Sequence, residues 1–255
     1  MFPLKVKSRP HEKKNRTGKT CVIDSGLPIG LFRDYVSSFS DHVDFVKFGW
    51  GTSLVTKDIK LKIQILIEHG IDFSFGGSLF EVAWKMDAVE QYFKWCADMG
   101  LKHIEVSDGT YKIPHDVKLK AIELAAKQFT VLSEVGLKGQ EESQMMHPKL
   151  WVEQINSELS AGSDFVITEA REAGNSGICR PNGELRFGLI EEILDAGIPT
   201  NKLIFEAPTK TLQTFFIKRV GKTVNLANIQ FHDVVGVETL RRGIRSDTMD
   251  LLEWN

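Results

Sequence analysis

Cysteine is scarce in this chain and badly placed for crosslinking: Cys21, Cys96 and Cys179 are odd in number and far apart. That spacing argues against a disulfide framework or a structural zinc site and leads us to expect reduced thiols in a cytoplasmic protein. No apolar run reaches the roughly 20 residues that a membrane-spanning helix needs, and Met1-Phe2-Pro3-Leu4-Lys5 leads into no apolar signal segment. Charge of one sign is also missing. Against 34 acidic residues stand 32 lysines and arginines, a net charge of −2, too weak a field to point to nucleic acid or a membrane surface. The seven histidines are scattered, so neither a histidine–cysteine metal cluster nor a serine–histidine–aspartate arrangement can be argued from spacing. Asp24-Ser25-Gly26-Leu27-Pro28 is neither a G-x-G-x-x-G turn nor a Walker loop, and no low-complexity segment or strict repeat is present.

What is there is a pattern of short apolar strands, each followed by a helix-period stretch, in 255 residues of ordinary globular composition, 42% hydrophobic and 26% charged. The strands read as 20–24, 44–49, 71–75, 103–109 (strand and turn together), 129–134, 165–169, 203–206 and 223–229. Helical faces between them carry Phe32, Tyr35 and Val36; Ile59, Ile63, Leu66 and Ile67; Met86, Val89, Phe93 and Cys96; Val117, Ala121 and Leu124; and, last, Val237, Leu240 and Ile244. Glycines close several of them, Gly70, Gly100, Gly162 and Gly197 among them. Eight such units predict a single α/β domain, a closed (β/α)8 TIM barrel over 20–255. An open doubly wound sheet is the alternative, but it would normally carry a phosphate loop after its first strand. Residues 1–19, rich in lysine and arginine, are expected to be a flexible basic leader.

In a barrel the chemistry gathers at the carboxyl ends of the strands. The stretch Asp44 to Ser53 sets the theme: Lys47 sits inside an apolar strand, and Gly49 and Gly51 leave the following backbone bare. Thr52 and Ser53 can cap a helix or meet an anion. A tight turn with a snorkelling lysine would look the same. The other strand ends supply Asp24, the Gly76-Gly77 turn, Ser107-Asp108, Glu134, Glu169 with Arg171, Glu206, and Asn225 with Asn228, and the long fifth loop adds Lys138. For any one of these a salt bridge between strands explains the residue as well as a ligand does; for the whole set a ligand is the simpler account. Glu169 and Glu206, on adjacent strands, are candidates to share a hard cation such as Mg²⁺, with Asp24 and Glu134 as further donors. His232 reads as a structural histidine, and Arg241, Arg242 and Arg245 on the last helix as salt-bridging or subunit-contact residues.

These stretches resemble the phosphosulfolactate synthase family: VDFVKFGWGTS at 43–53, GGSLFE at 76–81, SDGT at 107–110, LSEVG at 132–136, ITEAREAG at 167–174, IFEAPTKTLQ at 204–213, VNLANI at 224–229 and ETLRRGIRSDT at 238–248. The 176–187 region is more similar to the bacterial branch than to the methanogen one. The resemblance implies a TIM barrel that adds sulfite to phosphoenolpyruvate with Mg²⁺, a cytoplasmic enzyme serving sulfolactate or coenzyme M synthesis. It places the family's proton-donating lysine on Lys138, where Leu137 replaces a second lysine, and Lys47 is the second catalytic candidate. Lys47, with Gly49, Gly51, Thr52, Ser53, Arg171, Asn225 and Asn228, would bind substrate, and Glu169, Glu206 and Asp24 would hold the metal. Neighbouring cations such as Lys47 and Arg171 are expected to lower the pKa of Lys138. A homo-oligomer with no nucleic-acid or membrane partner is expected. The rivals are a barrel lyase or aldolase using Lys47 or Lys138 as a Schiff base, and a non-catalytic homologue like the plant heat-stress-associated proteins.

Overall fold

The computed structural model describes Arg9, Lys13 and residues 16–252. Eight strands, β1 (Thr20–Asp24), β2 (Phe45–Phe48), β3 (Asp72–Phe75), β4 (His103–Val106), β5 (Thr130–Val135), β6 (Phe165–Thr168), β7 (Leu203–Glu206) and β8 (Asn225–Ile229), form one parallel sheet in the order β3-β2-β1-β8-β7-β6-β5-β4. β1 hydrogen-bonds both β2 and β8, and β3 lies beside β4, so the sheet curls into a nearly closed (β/α)8 barrel. Eleven α-helices stand around it among the described residues: α1 (Ile29–Phe39), α2 (Thr52–Val55), α3 (Ile59–Glu68), α4 (Gly77–Lys85), α5 (Val89–Asp98), α6 (His115–Ala125), α7 (Gln140–Met145), α8 (Pro148–Ser160), α9 (Phe187–Asp195), α10 (Lys210–Arg219) and α11 (Val234–Arg241).

The period-2 alternation of the strands builds two cores. Val22, Val46, Phe48, Ile104, Val106, Val131, Val166, Phe205 and Leu226 face outward into the layer shared with the helices. Cys21, Phe45, Leu132, Ile167, Ile204 and Ala227 face inward and fill the lower barrel. Local chemistry sets the helix ends. Pro148 occupies the first turn of α8, and the Thr209 side chain accepts from Leu212 N to cap α10. Gly100 (φ +83°) and Gly197 (φ +73°) take the left-handed conformation that ends α5 and α9.

Four expected core positions are not in the core. The stretch carrying Met86 breaks into α4 and α5 at Asp87, whose φ is +54°, and Met86 is 72% exposed. Ile67 (60% exposed) falls beyond the buried arc of α3, which includes Lys62 instead, because Lys62 Nζ pairs with Asp24 Oδ2 at 2.6 Å. Ile244 follows the end of α11 and is 43% exposed, and Leu124 is 37% exposed. Most of the leader lies outside the described residues. Of the rest, Arg9 pairs with Glu238 and Asp44, and Arg16 with Asp44, on the base of the barrel.

Candidate active site

One pleat above the apolar layer, the barrel interior becomes charged. Lys47 (β2), Glu105 (β4), Glu134 (β5) and Glu206 (β7), with Glu169 just past β6, are all buried and line one cavity of about 260 Å³ at the carboxyl end of the sheet. The register explains the meeting: Thr168 pairs with Phe205, so Glu169 and Glu206 follow at one level on neighbouring strands. Ile23, Trp50, Gly76, Gly77, Ser78, Thr110, Lys138, Arg171, Glu172 and Asn228 complete the wall.

Two ammonium groups organise the carboxylates. Lys47 Nζ spans the barrel, 3.3 Å from Glu206 Oε1 and 3.5 Å from Glu105 Oε2. Lys138 Nζ enters from the loop above, 3.3 Å from Glu134 Oε1, 3.6 Å from Glu169 Oε2, 3.7 Å from Glu81 Oε1 and 3.4 Å from Ser78 Oγ. The backbone fixes the acids in turn. Gly77 N donates to Glu105 Oε1 at 2.6 Å; Ala170 N and Arg171 N donate to Glu206 Oε2; Arg171 N also donates to Glu169 Oε1 at 2.6 Å. Glu81 accepts from Ser107 Oγ, Thr110 N and Tyr111 N.

Burial pulls both lysines toward the neutral amine, but the surrounding glutamates outweigh it and hold each above its ordinary pKa. For Lys138 this reverses the expected lowering. Its ammonium is ringed by Glu134, Glu169, Glu81 and Glu105, while Arg171 turns its guanidinium to the Lys138 carbonyl. The acids divide. Burial, with the repulsion of Glu134, raises Glu105 to about 7 against the pull of Lys47. Glu169 is driven well up by burial and by its acidic neighbours Glu134 and Glu206. Glu134, despite burial, is held at about 2 by Lys138 and Lys47.

Backbone strain collects here. Trp50 (φ +51°), Arg171 (φ +62°) and Asn228 (φ +56°) are three of the four non-glycine residues in the left-handed region among the described residues, and all three line the cavity. Trp50 Nε1 donates to Glu172 Oε1 across the mouth. Asn228 is buried with an Oδ1 that has no partner.

Of the residues singled out in the sequence, Lys47, Lys138, Glu169, Glu206, Arg171 and Asn228 come together, and Glu134 with them. Asn225 does not: it starts β8 at the opposite end, accepting from Lys19 N and donating to the Asn201 and Leu203 carbonyls. Asp24 turns away from the cavity, with Oδ2 on Lys62 and Oδ1 on the amides of Gly26 and Leu27. Gly49, Gly51, Thr52 and Ser53 are not in the cavity wall either. Gly49 N donates to the Asp24 carbonyl, a Cβ on Gly49 would lie 3.0 Å from Ile23 Cδ1, and the turn contributes Trp50 instead. Glu105, Glu81 and Trp50 were not singled out. Glu105 carries a legible signal, an acid between Ile104 and Val106 at the third position of a four-residue strand, as Lys47 is in β2. His232, 68% exposed at the side chain, is remote from this chemistry, and Arg241, Arg242 and Arg245 bond to carbonyls, Glu238 and Asp247 respectively.

A larger cavity, about 480 Å³, opens at the base between Lys13, Lys19, Lys102, Asp44 and Asp72. It lies at the amino-terminal end of the strands, away from the buried charges of the barrel interior.

The family model described as (2R)-phospho-3-sulfolactate synthase (ComA) matches residues 8–247. The phosphosulfolactate synthase of Bacillus subtilis (strain 168) is 46% identical over 98% of this chain and 99% of its own length, and that of Methanothermobacter thermautotrophicus 39% over 93% of each. The higher identity to the Bacillus protein agrees with the expected bacterial branch. In fold, the chain superposes on 3-hexulose-6-phosphate synthase from Salmonella typhimurium with a TM-score of 0.59, at 11% identity, over 89% of this chain and 97% of that one. The buried charged ring thus stands in a chain whose whole length follows one group of lyase-type enzymes: it belongs to the (2R)-phospho-3-sulfolactate synthase family.

Proposed function

We propose that the charged mouth adds sulfite to phosphoenolpyruvate to give (2R)-2-O-phospho-3-sulfolactate. The observation that carries the reading, beyond family membership, is the pair of carboxylate-bound ammonium groups, buried Lys47 and half-buried Lys138, lining one small cavity. Phosphoenolpyruvate and sulfite are both anions, and this chain offers them two cations held charged by their neighbours. The sulfite sulfur attacks C3, forming the C–S bond, and the C2–C3 π pair shifts through C2 toward the carboxylate. Lys138 then gives a proton to C2 and regains one from solvent. A positioned ammonium delivers that proton to a single face, and a carbanion-like C2 is basic enough to take it from an acid of raised pKa. Lys47 binds the carboxylate or the phosphate, and Arg171 offers a third cation to the incoming anions.

The carboxylates fit the divalent cation that the family implies. Glu105 Oε2, Glu134 Oε1 and Glu169 Oε2 are buried, accept no hydrogen bond and are hard oxygen donors. No three acidic, histidine or cysteine side chains are already gathered as a coordination group among the described residues. Mg²⁺, however, is usually held by one or two carboxylates, with waters and substrate oxygens completing the set. Glu169 and Glu134 would hold it through those free oxygens, whereas the expected partner Glu206 already accepts from Lys47 Nζ at Oε1 and from the Ala170 and Arg171 amides at Oε2; the cation would supply stabilisation of negative charge on the substrate carboxylate. A Schiff-base mechanism is less suited to these lysines, because it needs a free amine and both are held protonated. Three buried free thiols suit a reducing cytoplasm, and no helix among the described residues is long and apolar enough to cross a membrane.

The test is to supply phosphoenolpyruvate, sulfite and Mg²⁺ and to look for the sulfonated phosphate ester by mass spectrometry. Product that depends on all three, with a weakened Mg²⁺ response in Glu169→Gln, supports the reading. No product, or an unchanged Mg²⁺ titration in the variant, rejects the reaction or the metal assignment respectively.

A further inference from the structure

Behind the mouth, outside the ring of strands, sits another buried ammonium. Lys118 projects from α6 and is fully buried. Its Nζ donates to Asp108 Oδ1 at 2.8 Å and to the main-chain oxygen of Glu134 at 2.6 Å, and lies 2.7 Å from Oε1 of the equally buried Glu158 on α8. Burial works against its charge, but Glu158 and Asp108 outweigh burial and keep it protonated.

Two of these three partners belong to the segments that carry Lys138. Glu134 ends the inward run of β5, four residues before Lys138. Asp108 opens the loop after β4, whose Gly109 carbonyl accepts from Lys138 N at 2.9 Å. Gly109 is also the seat of the Lys138 stem, because a Cβ added there would lie 3.2 Å from both Cγ and Cε of Lys138. On the far side of the same loop, Thr110 N and Tyr111 N are tied to Glu81, which faces the Lys138 ammonium. A buried ion cluster is a poor source of stability compared with apolar packing of the same volume. Here its geometric consequence is specific: it fixes the height of the Gly109 seat relative to the end of β5.

We propose that Lys118 is a positioning residue for the reaction, locking the loop after β4 to β5 so that the Gly109 seat aims the Lys138 ammonium into the cavity. The inference rests on Lys138 acting as the proton donor. Lys118 itself contacts no substrate; its effect is transmitted through the backbone at Glu134 and through Asp108.

The test compares turnover per phosphoenolpyruvate-binding site, with sites counted by calorimetry, so that a loss of folded protein does not register as a loss of rate. Lys118→Met is expected to keep phosphoenolpyruvate binding but lose turnover per site by about 100-fold, the effect of a misplacement of about 1 Å. Gly109→Ala, which pushes on the Lys138 stem directly, should show a similar loss with an unchanged thermal midpoint. The double variant should be no slower than the slower single one, since both displace the same ammonium. Arg241→Met, which removes a fully buried cation at the base of the barrel, should lower the midpoint and leave turnover per site unchanged. Wild-type turnover per site in Lys118→Met, or losses that multiply in the double variant, overturns the proposal. If Lys118→Met does not fold, Asp108→Ala, which leaves Lys118 paired with Glu158, decides in the same terms. Lys138→Met separates the two levels. If it stays active, the reading of Lys138 and this proposal both fall; if it is inactive while Lys118→Met is fully active, only the positioning role falls.

Discussion

Asn225 and Asn228 stand three residues apart on β8 and meet opposite fates. Asn225, at the base, spends its side chain on Lys19 N and on the carbonyls of Asn201 and Leu203. Asn228, at the mouth, is left-handed, buried and without a partner for Oδ1. The same division runs through the whole interior, from the apolar layer of Cys21, Phe45, Leu132, Ile167, Ile204 and Ala227 to the charged layer one pleat above. Satisfied groups hold a barrel together. Unsatisfied, strained and like-charged groups are tolerated where a ligand is to complete them.

The sharpest way to break this contrast is at Lys138. Lys138→Met should abolish product formation, a loss of at least about 10³-fold, the scale expected for a general acid, while phosphoenolpyruvate still binds; near-normal turnover in steady-state assays would mean another group protonates C2. The asparagines give a paired test of intermediate size. Asn228→Gly preserves the positive φ and removes only the side chain, so stability should hold while the specificity constant falls by roughly 10-fold, the worth of one hydrogen bond to a charged group. Asn225→Ala should do the reverse, lowering the unfolding free energy by about 1–3 kcal/mol for its lost buried hydrogen bonds with turnover unchanged. Kinetics and denaturant unfolding of both variants would show whether the two ends separate this way.

The smallest expected effect is a slope. Glu105 and Glu158 have pKa values raised by burial from 4.5 to about 7, so the folded protein keeps their protons at pH values where the unfolded chain has lost them. Stability from these two groups is therefore present below about pH 4.5 and lost as pH rises toward 7. Glu134, held at about 2, acts in the other direction, contributing above pH 4.5 and losing that contribution as pH falls toward 2. Glu158→Gln should flatten the decline between pH 4.5 and 7 in thermal unfolding; an unchanged slope would mean that Glu158 is ionised throughout.

The fold was legible because it is written in local periods. Thr20–Asp24 and Leu203–Glu206 are strands with the expected bounds. Half of the site was legible for the same reason, since Lys47, Glu134 and Glu206 are charges at inward strand positions. What local pattern could not carry is pairing over distance. Lys62 and Lys118 look like solvated helix lysines until Asp24 and Glu158 are seen to meet them across the fold. Glu81, on α4, is buried against the loop after β4, a contact that its own stretch of sequence does not announce. Asn225 was misplaced because a strand's sequence does not say which of its two asparagines stands at which end of the barrel. Lys138 was expected to have a lowered pKa from neighbouring cations, but Glu134, Glu169 and Glu81 stand within 3.7 Å of its ammonium and set the direction, a meeting that strand ends read one by one do not show.

A structure of the protein with phosphoenolpyruvate and Mg²⁺ tests the central claim most directly. The account predicts phosphoenolpyruvate inside the mouth cavity, its carboxylate or phosphate on Lys47, with Lys138 Nζ over one face of C2 at about 3–3.5 Å, the reach of a reacting pair. Phosphoenolpyruvate bound only in the base cavity beside Lys13, Lys19 and Lys102, with the mouth holding water alone, would contradict it.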